Sequence, residues 1–154
     1  MSLVYLGLGS NLGNKESNLN DAIIYLSLEV GILLSQSAFY NSQPWGFESE
    51  NEFVNAVILL QTDLTPFDLL LKTQEIEKKL GRSQKIGDSY NDRLIDIDIL
   101  LYDNLIIHQQ SLKIPHPLLT ERDFVLFPLA EIAPDLVHPL LGKTICELSN
   151  ARKS

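Results

Sequence analysis

The chain has 154 residues, 45% hydrophobic and 21% charged, and its 12 basic and 20 acidic residues give a net charge of −8. That length suits one domain, residues 1–154, with a real core, and the composition excludes wholesale disorder. The charge excludes duplex DNA or an anionic membrane as a partner held by bulk electrostatics, and a single cysteine, Cys146, excludes an intramolecular disulfide.

Leu3–Leu8 is a short apolar run closed by Gly7, Gly9 and Ser10, which predicts a buried strand. The segment Gly7-Leu8-Gly9-Ser10-Asn11-Leu12-Gly13 lacks the third glycine of a dinucleotide fingerprint and the Lys-Ser/Thr of a P-loop, so it reads as a tight turn into a helix. Leu19, Ala22, Ile23 and Leu26 are spaced for an amphipathic helix with Gly31 as its stop. Ile32–Tyr40 and Phe53–Gln61 are the next two predicted strands. Thr65-Pro66-Phe67-Asp68 is a helix start, and Leu69, Ile76 and Leu80 form the buried stripe of a helix that Gly81 ends. Leu94–Tyr102 is a fourth strand.

The order strand, helix, strand, strand, helix, strand predicts a ferredoxin-like α/β fold: a split βαβ core with an antiparallel sheet and helices on one face. From Asp103 the chain carries five prolines and reads as an irregular C-terminal extension with a short helix or two. The 12-residue connections Asn41–Glu52 and Gly81–Asp92 have the length of binding loops.

Alternation along the fourth strand puts Asp96 and Asp98 on one face and Ile95, Ile97 and Ile99 on the other. Two residues along a strand is ~6.5–7 Å, close enough for both carboxylates to serve one cation or a close pair of cations. Two like charges also call for a positive neighbour. With Arg93 just ahead, the trio suits Mg²⁺ and a polyphosphate better than plain solvent. Residues 72–93 carry +2 while the rest of the chain carries −10, which points to a small anionic ligand.

Phe53 and Asn55 share the face opposite the Val54, Ala56, Ile58 and Leu60 core stripe. They form either a platform for a heteroaromatic ring or the base of a second core layer. Two prolines stiffen the chain around His116, which is either a structural hydrogen-bonder or an aimed phosphate contact, with Arg122 and Phe124 nearby in sequence. His108, His138 and Cys146 have no metal-ligand spacing.

Together these features resemble the 6-hydroxymethyl-7,8-dihydropterin pyrophosphokinase family from about Val4 to Asp135. The resemblance rests on Gly9-Ser10-Asn11-Leu12-Gly13, Pro44-Trp45-Gly46, Phe53-Val54-Asn55-Ala56, Gln74-Glu75-Ile76-Glu77 and Gly81-Arg82. It continues through Arg93-Leu94-Ile95-Asp96-Ile97-Asp98-Ile99-Leu100, Pro115-His116-Pro117, Glu121-Arg122-Asp123-Phe124 and Pro128-Leu129-Ala130-Glu131-Ile132-Ala133-Pro134. It implies transfer of the pyrophosphoryl group of ATP to the pterin's hydroxymethyl oxygen, with release of AMP.

By the same resemblance Asp96 and Asp98 hold two Mg²⁺ ions. Gln74, Glu77, Arg82, Lys85, Arg93, His116 and Arg122 serve ATP, and Arg82, Arg93, Asp96 and Asp98 form the catalytic set. Ser42, Gln43, Pro44, Trp45, Phe53, Asn55 and Phe124 serve the pterin.

The chain departs from the family's usual pattern at Tyr90-Asn91-Asp92, at Gln84 and at Ser42-Gln43. The altered loop motivates a rival reading, a non-catalytic ferredoxin-like module that binds a nucleotide or metabolite; a Mg²⁺-dependent phosphohydrolase is a third. No signal-peptide pattern opens the chain and no apolar run approaches the ~20 residues of a membrane span. A cytoplasmic protein is therefore expected, with no membrane or nucleic-acid partner, monomeric or else dimeric.

Overall fold

The structure, a computed structural model, describes residues 1–44, 51–81 and 94–153. The central strand β1 (Ser2–Ser10) leads into α1 (Lys15–Glu29), whose first turn is capped by the Asn14 side chain accepting the Ser17 N–H. Then come β2 (Gly31–Gln36), β3 (Tyr40–Ser42), β4 (Phe53–Thr62), α2 (Pro66–Leu80) and β5 (Asp96–Tyr102). α2 starts as its sequence predicts, with Thr65 accepting the Asp68 N–H and Pro66 in the first turn.

β1 pairs antiparallel with β4 on one side and β5 on the other. β2 and β3 both pair antiparallel with the far edge of β4, giving the order β2-β4-β1-β5 of a ferredoxin-like sheet.

Two local expectations change. The segment predicted as one strand over Ile32–Tyr40 is two strands. Buried Ser37 leaves the ladder, its Oγ accepting the Val57 N–H at 3.0 Å and its own N–H reaching the Val57 carbonyl at 2.9 Å. Gln36 faces Ile58 but Tyr40 faces Asn55, so four steps on one strand meet three on the other. This one-residue irregularity, like the one between Leu33 and Ser35, breaks the ladder with β4, and the two together leave Tyr40 on the face that simple alternation from Ile32 gives it. The first predicted binding connection accordingly starts after Ser42.

Gly31 is not the stop of α1. Val30 caps that helix, donating its N–H to the Leu26 carbonyl. Gly31 opens β2, where a Cβ would lie 2.1 Å from the Gln61 carbonyl oxygen, so glycine is required by close backbone approach.

The face of the sheet under α1 and α2 holds the main core. Leu6, Ile58 and Leu60 from the strands meet Leu19 and Leu26 of α1 and Leu69 and Ile76 of α2, all fully buried. Each contributes about 1.5–3 kcal/mol through removal from water. The C-terminal extension covers the other face. The hairpin β6 (Ile107–His108) and β7 (Lys113–Ile114) leads to α3 (Asp123–Ile132) and α4 (Ile145–Lys153). Leu126 and Leu129 of α3 and Ile145 of α4 pack on Tyr5, Val57 and Leu100. The sheet is therefore sandwiched, and the second core layer over the face of Asn55 is present. Among the described residues, no helix is long and apolar enough to cross a membrane.

Candidate active site

Residues directly opposite on antiparallel neighbours point to the same face. Gly9 faces Asp96 on β5 and Asn55 on β4, and Asn55 faces Tyr40 on β3. Asp96, Gly9, Asn55 and Tyr40 thus form one row across four strands. The rows beside it add Asp98 opposite Gly7, and Phe53 opposite Ser42. Strands lie ~4.8 Å apart, which puts the backbone of Asp96 about 10 Å from that of Asn55.

Between these ends the floor is glycine. Gly7, Gly9 and Ser10 belong to β1 rather than to the turn read from the sequence; the turn follows, with Gly13 at φ 67°. A Cβ on Gly9 would stand 3.2 Å from Asn55 Oδ1 and 3.5 Å from a Phe53 ring carbon. The side chains of Phe53 and Asn55 therefore lean over Gly9. Asn55 is 4% exposed, and its Nδ2 donates to the Tyr40 carbonyl at 3.1 Å and to Ser42 Oγ at 2.8 Å. Gln43 Nε2 donates to Glu52 Oε2 at 2.9 Å, and Pro44 is half-buried.

At the other end Asp96 and Asp98 are both half-buried, and among the described residues Arg122 is a positive neighbour of the kind they call for. Its Nη1 lies 3.8 Å from Asp98 Oδ2, and its side chain is only 11% exposed. Arg122 stands at the N-cap of α3, and its guanidinium carbon is 5.7 Å from the centre of the Phe124 ring, within cation–π range. Glu77 of α2 accepts the Ile97 N–H at 2.7 Å. That bond covers the edge strand β5 and fastens its backbone midway between the two aspartates. Gln74 lies one turn earlier on α2 and is exposed.

His116 follows the cis Ile114–Pro115 bond and donates its N–H to the Leu100 carbonyl. Its Nδ1 accepts the Leu118 N–H at 3.1 Å, which leaves the proton on Nε2. Burial and then the Arg122 charge lower its pKa to about 4, against an opposing pull from Asp96. His116 is therefore a neutral Nε2–H donor beside the acidic pair at pH 7.

The donor set for a metal is two carboxylates, Asp96 and Asp98. Among the described residues no group of three or more His, Cys, Asp or Glu is placed to hold an ion. Hard oxygen donors, few in number, fit Mg²⁺ that completes its shell with phosphate oxygens and water. Trp45, Arg82, Lys85 and Arg93 lie outside the described residues, as do Gln84 and Tyr90-Asn91-Asp92.

Sequence reasoning missed Tyr40, Glu131 and the glycine floor. Gly7 and Gly9 alternate within an apolar run, and that period of two was the available signal.

The chain matches the family model described as 7,8-dihydro-6-hydroxymethylpterin-pyrophosphokinase over residues 5–134. It is 50% identical over 141 residues to a 2-amino-4-hydroxy-6-hydroxymethyldihydropteridine pyrophosphokinase of Porphyromonas gingivalis, covering 90% of this chain and 95% of that protein. It is 44% identical over 149 residues to the protein of that name from Aquifex aeolicus, covering 96% and 90%. The crystal structure of Plasmodium falciparum HPPK-DHPS wild type superposes with a TM-score of 0.78 at 16% identity. It covers 98% of this chain, and this chain spans 44% of that longer one, so the likeness shows the fold.

Proposed function

Since this chain belongs to the 7,8-dihydro-6-hydroxymethylpterin-pyrophosphokinase family, we propose how its own residues divide the work of that reaction. The enzyme transfers the pyrophosphoryl group of ATP to the hydroxymethyl group of 6-hydroxymethyl-7,8-dihydropterin. The hydroxymethyl oxygen forms a bond to the β-phosphorus. The bond from that phosphorus to the α–β bridging oxygen breaks, AMP leaves with the electron pair, and the hydroxyl proton is released to solvent.

The observation that supports this division is the row Asp96–Gly9–Asn55. It sets an anionic edge and an aromatic-amide edge about two strand spacings apart, over a floor with no side chains. The pterin lies at the Phe53 and Asn55 edge, ring against ring and heteroatom against amide, with Phe124 and Ser42, Gln43, Pro44 and Trp45 completing its surroundings. The triphosphate lies along the Asp96 and Asp98 edge. The bare floor at Gly7 and Gly9 lets the hydroxymethyl arm and the β-phosphorus approach each other across it.

In this reading Asp96 and Asp98 hold Mg²⁺, two ions in all. When bound, the metal offsets phosphate charge and polarises the β-phosphorus. The rest of the work is positioning. His116 presents its Nε2–H to a phosphate oxygen, a neutral donor that does not compete with the metal for the aspartates. Arg122, already beside Asp98, adds a fixed positive charge where negative charge gathers. Glu77 keeps the two aspartates in register through the Ile97 N–H, and Gln74 extends the nucleotide side. Arg82, Lys85 and Arg93 complete the phosphate contacts. The same proposal makes residues 1–154 one cytoplasmic domain acting as a monomer, without a nucleic-acid partner.

The test is product analysis after incubation with ATP, Mg²⁺ and 6-hydroxymethyl-7,8-dihydropterin. AMP and the pterin diphosphate, formed in equal amounts, are expected. ADP, or phosphate released without pterin, would refute the assignment.

A further inference from the structure

α3 is ten residues long, and its two ends reach opposite sides of the site. At its start Arg122 meets Asp98 on β5. In its last turn Glu131 meets the segment that leads into β3. The Glu131 carboxylate accepts the Ala38 N–H on both oxygens, at 3.0 and 3.2 Å, and the Tyr40 hydroxyl at 2.5 Å. Nine residues of helix span about 13 Å, close to the ~14 Å of three strand spacings from β5 to β3. The helix thus bridges the metal edge and the pterin edge of the sheet.

The contact falls at a weak point of the sheet. β3 is three residues long and follows the bulge at Ser37, so its ladder alone holds it loosely. Yet the Tyr40 carbonyl and Ser42 Oγ, both in β3, orient the Asn55 amide. Glu131 grips the chain on the N-terminal side of those two atoms. Burial and the Glu131 carboxylate push the Tyr40 phenol up to about 12, so its hydroxyl remains a donor throughout the working pH range.

We propose that Glu131 is a positioning residue for the pterin: it clamps Ala38 and Tyr40 so that β3 holds Asn55 in the orientation that receives the ring. The proposal rests on the reading of Asn55 as the pterin contact given above. It predicts an effect on the pterin and not on the nucleotide, because none of the clamp's bonds touches Asp96, Asp98 or His116.

The experiment compares Glu131→Ala, Glu131→Gln and Tyr40→Phe with the unaltered chain by calorimetry. One titration uses 6-hydroxymethyl-7,8-dihydropterin in the presence of Mg²⁺ and a non-hydrolysable ATP analogue, the other the analogue alone. Glu131→Ala should weaken the pterin about tenfold, as expected for losing hydrogen bonds to a charged group, and leave the analogue within about twofold. Glu131→Gln, which keeps an acceptor oxygen, should restore most of the loss. Tyr40→Phe should weaken the pterin about threefold, and it carries the test if Glu131→Ala does not fold. Equal weakening of both ligands, or unchanged pterin affinity in Glu131→Ala and Tyr40→Phe, would overturn the clamp. An unaltered chain that binds the analogue but no pterin would overturn the Asn55 reading and the clamp together. An unaltered chain that binds pterin beside variants that bind it equally well would overturn the clamp alone.

Discussion

Replacing Gly9 by alanine adds one methyl group at the centre of the site. The new Cβ would stand 3.2 Å from Asn55 Oδ1 and 3.5 Å from Phe53 Cδ1. The second distance is an ordinary contact. The first is a few tenths of an ångström too short, and Asn55 is not free to yield, since its Nδ2 is tied to Tyr40 and Ser42. Gly9 has no positive φ, so alanine fits its backbone, and the loss of unfolded-state entropy favours the variant by about 0.4–1 kcal/mol. That gain and the cost of the tight contact are similar in size, so stability should change by less than about 1 kcal/mol. The pterin should suffer more, because the amide is displaced by a substantial part of a hydrogen bond's tolerance; about 1–1.5 kcal/mol corresponds to about a tenfold rise in its KM. Gly7→Ala fills the same floor, but the nearest atoms to its Cβ would be Leu100 carbons, at 3.5 Å, so comparing the two variants separates crowding of the floor from displacement of Asn55. Steady-state kinetics with each substrate varied in turn, together with a thermal melt, measures all of this. An unchanged pterin KM in Gly9→Ala, or an equal rise in the KM of ATP, would refute the glycine-floor argument.

Asp98→Ala should lower kcat by at least about a thousandfold while the melting midpoint stays within about 4 °C. The lost pair with Arg122 is partly exposed and worth at most about 1 kcal/mol, and relief of the Asp96–Asp98 repulsion offsets it. Turnover above a tenth of the unaltered rate would remove Asp98 from the metal site. The fold should lose stability as pH falls from about 6.5 to about 4. In that window the unfolded chain protonates His116 while the folded chain, with its pKa lowered to about 4, does not. Denaturant titrations at several pH values should show this slope reduced in His116→Gln, and an identical slope in both proteins would contradict it. Gly31→Ala should destabilise the fold by at least about 2–3 kcal/mol in urea unfolding, since its Cβ would collide with the Gln61 carbonyl. A cost below 1 kcal/mol would return Gly31 to the role of an ordinary helix stop.

The parts of this molecule that were legible in the sequence depend on local periodicity. Alternation in Phe53–Gln61 and Leu94–Tyr102 identified two strands and the face that Asp96 and Asp98 share. Thr65, Pro66 and Asp68 fixed the start of α2 to the residue. What stayed hidden depends on contacts distant in sequence. The break between β2 and β3 requires Ser37 to reach Val57, and the clamp on β3 requires Glu131, 91 residues beyond Tyr40. Gly31 shows the limit of residue type as a signal, because a glycine after a helix looks the same whether it relieves a dihedral angle or a collision. Asn55 lies on the face that alternation predicts, and the second core layer expected on that face is present over Val57, while the ligand platform at Phe53 belongs to the proposal.

The central claim is transfer of two phosphates as a unit across the floor between Asp96 and Asn55. It is tested most directly with ATP radiolabelled in the β-phosphate, incubated with Mg²⁺, 6-hydroxymethyl-7,8-dihydropterin and the chain. Label is expected in the pterin diphosphate and none in AMP. Label retained in ADP, or released as free phosphate or pyrophosphate, would contradict it.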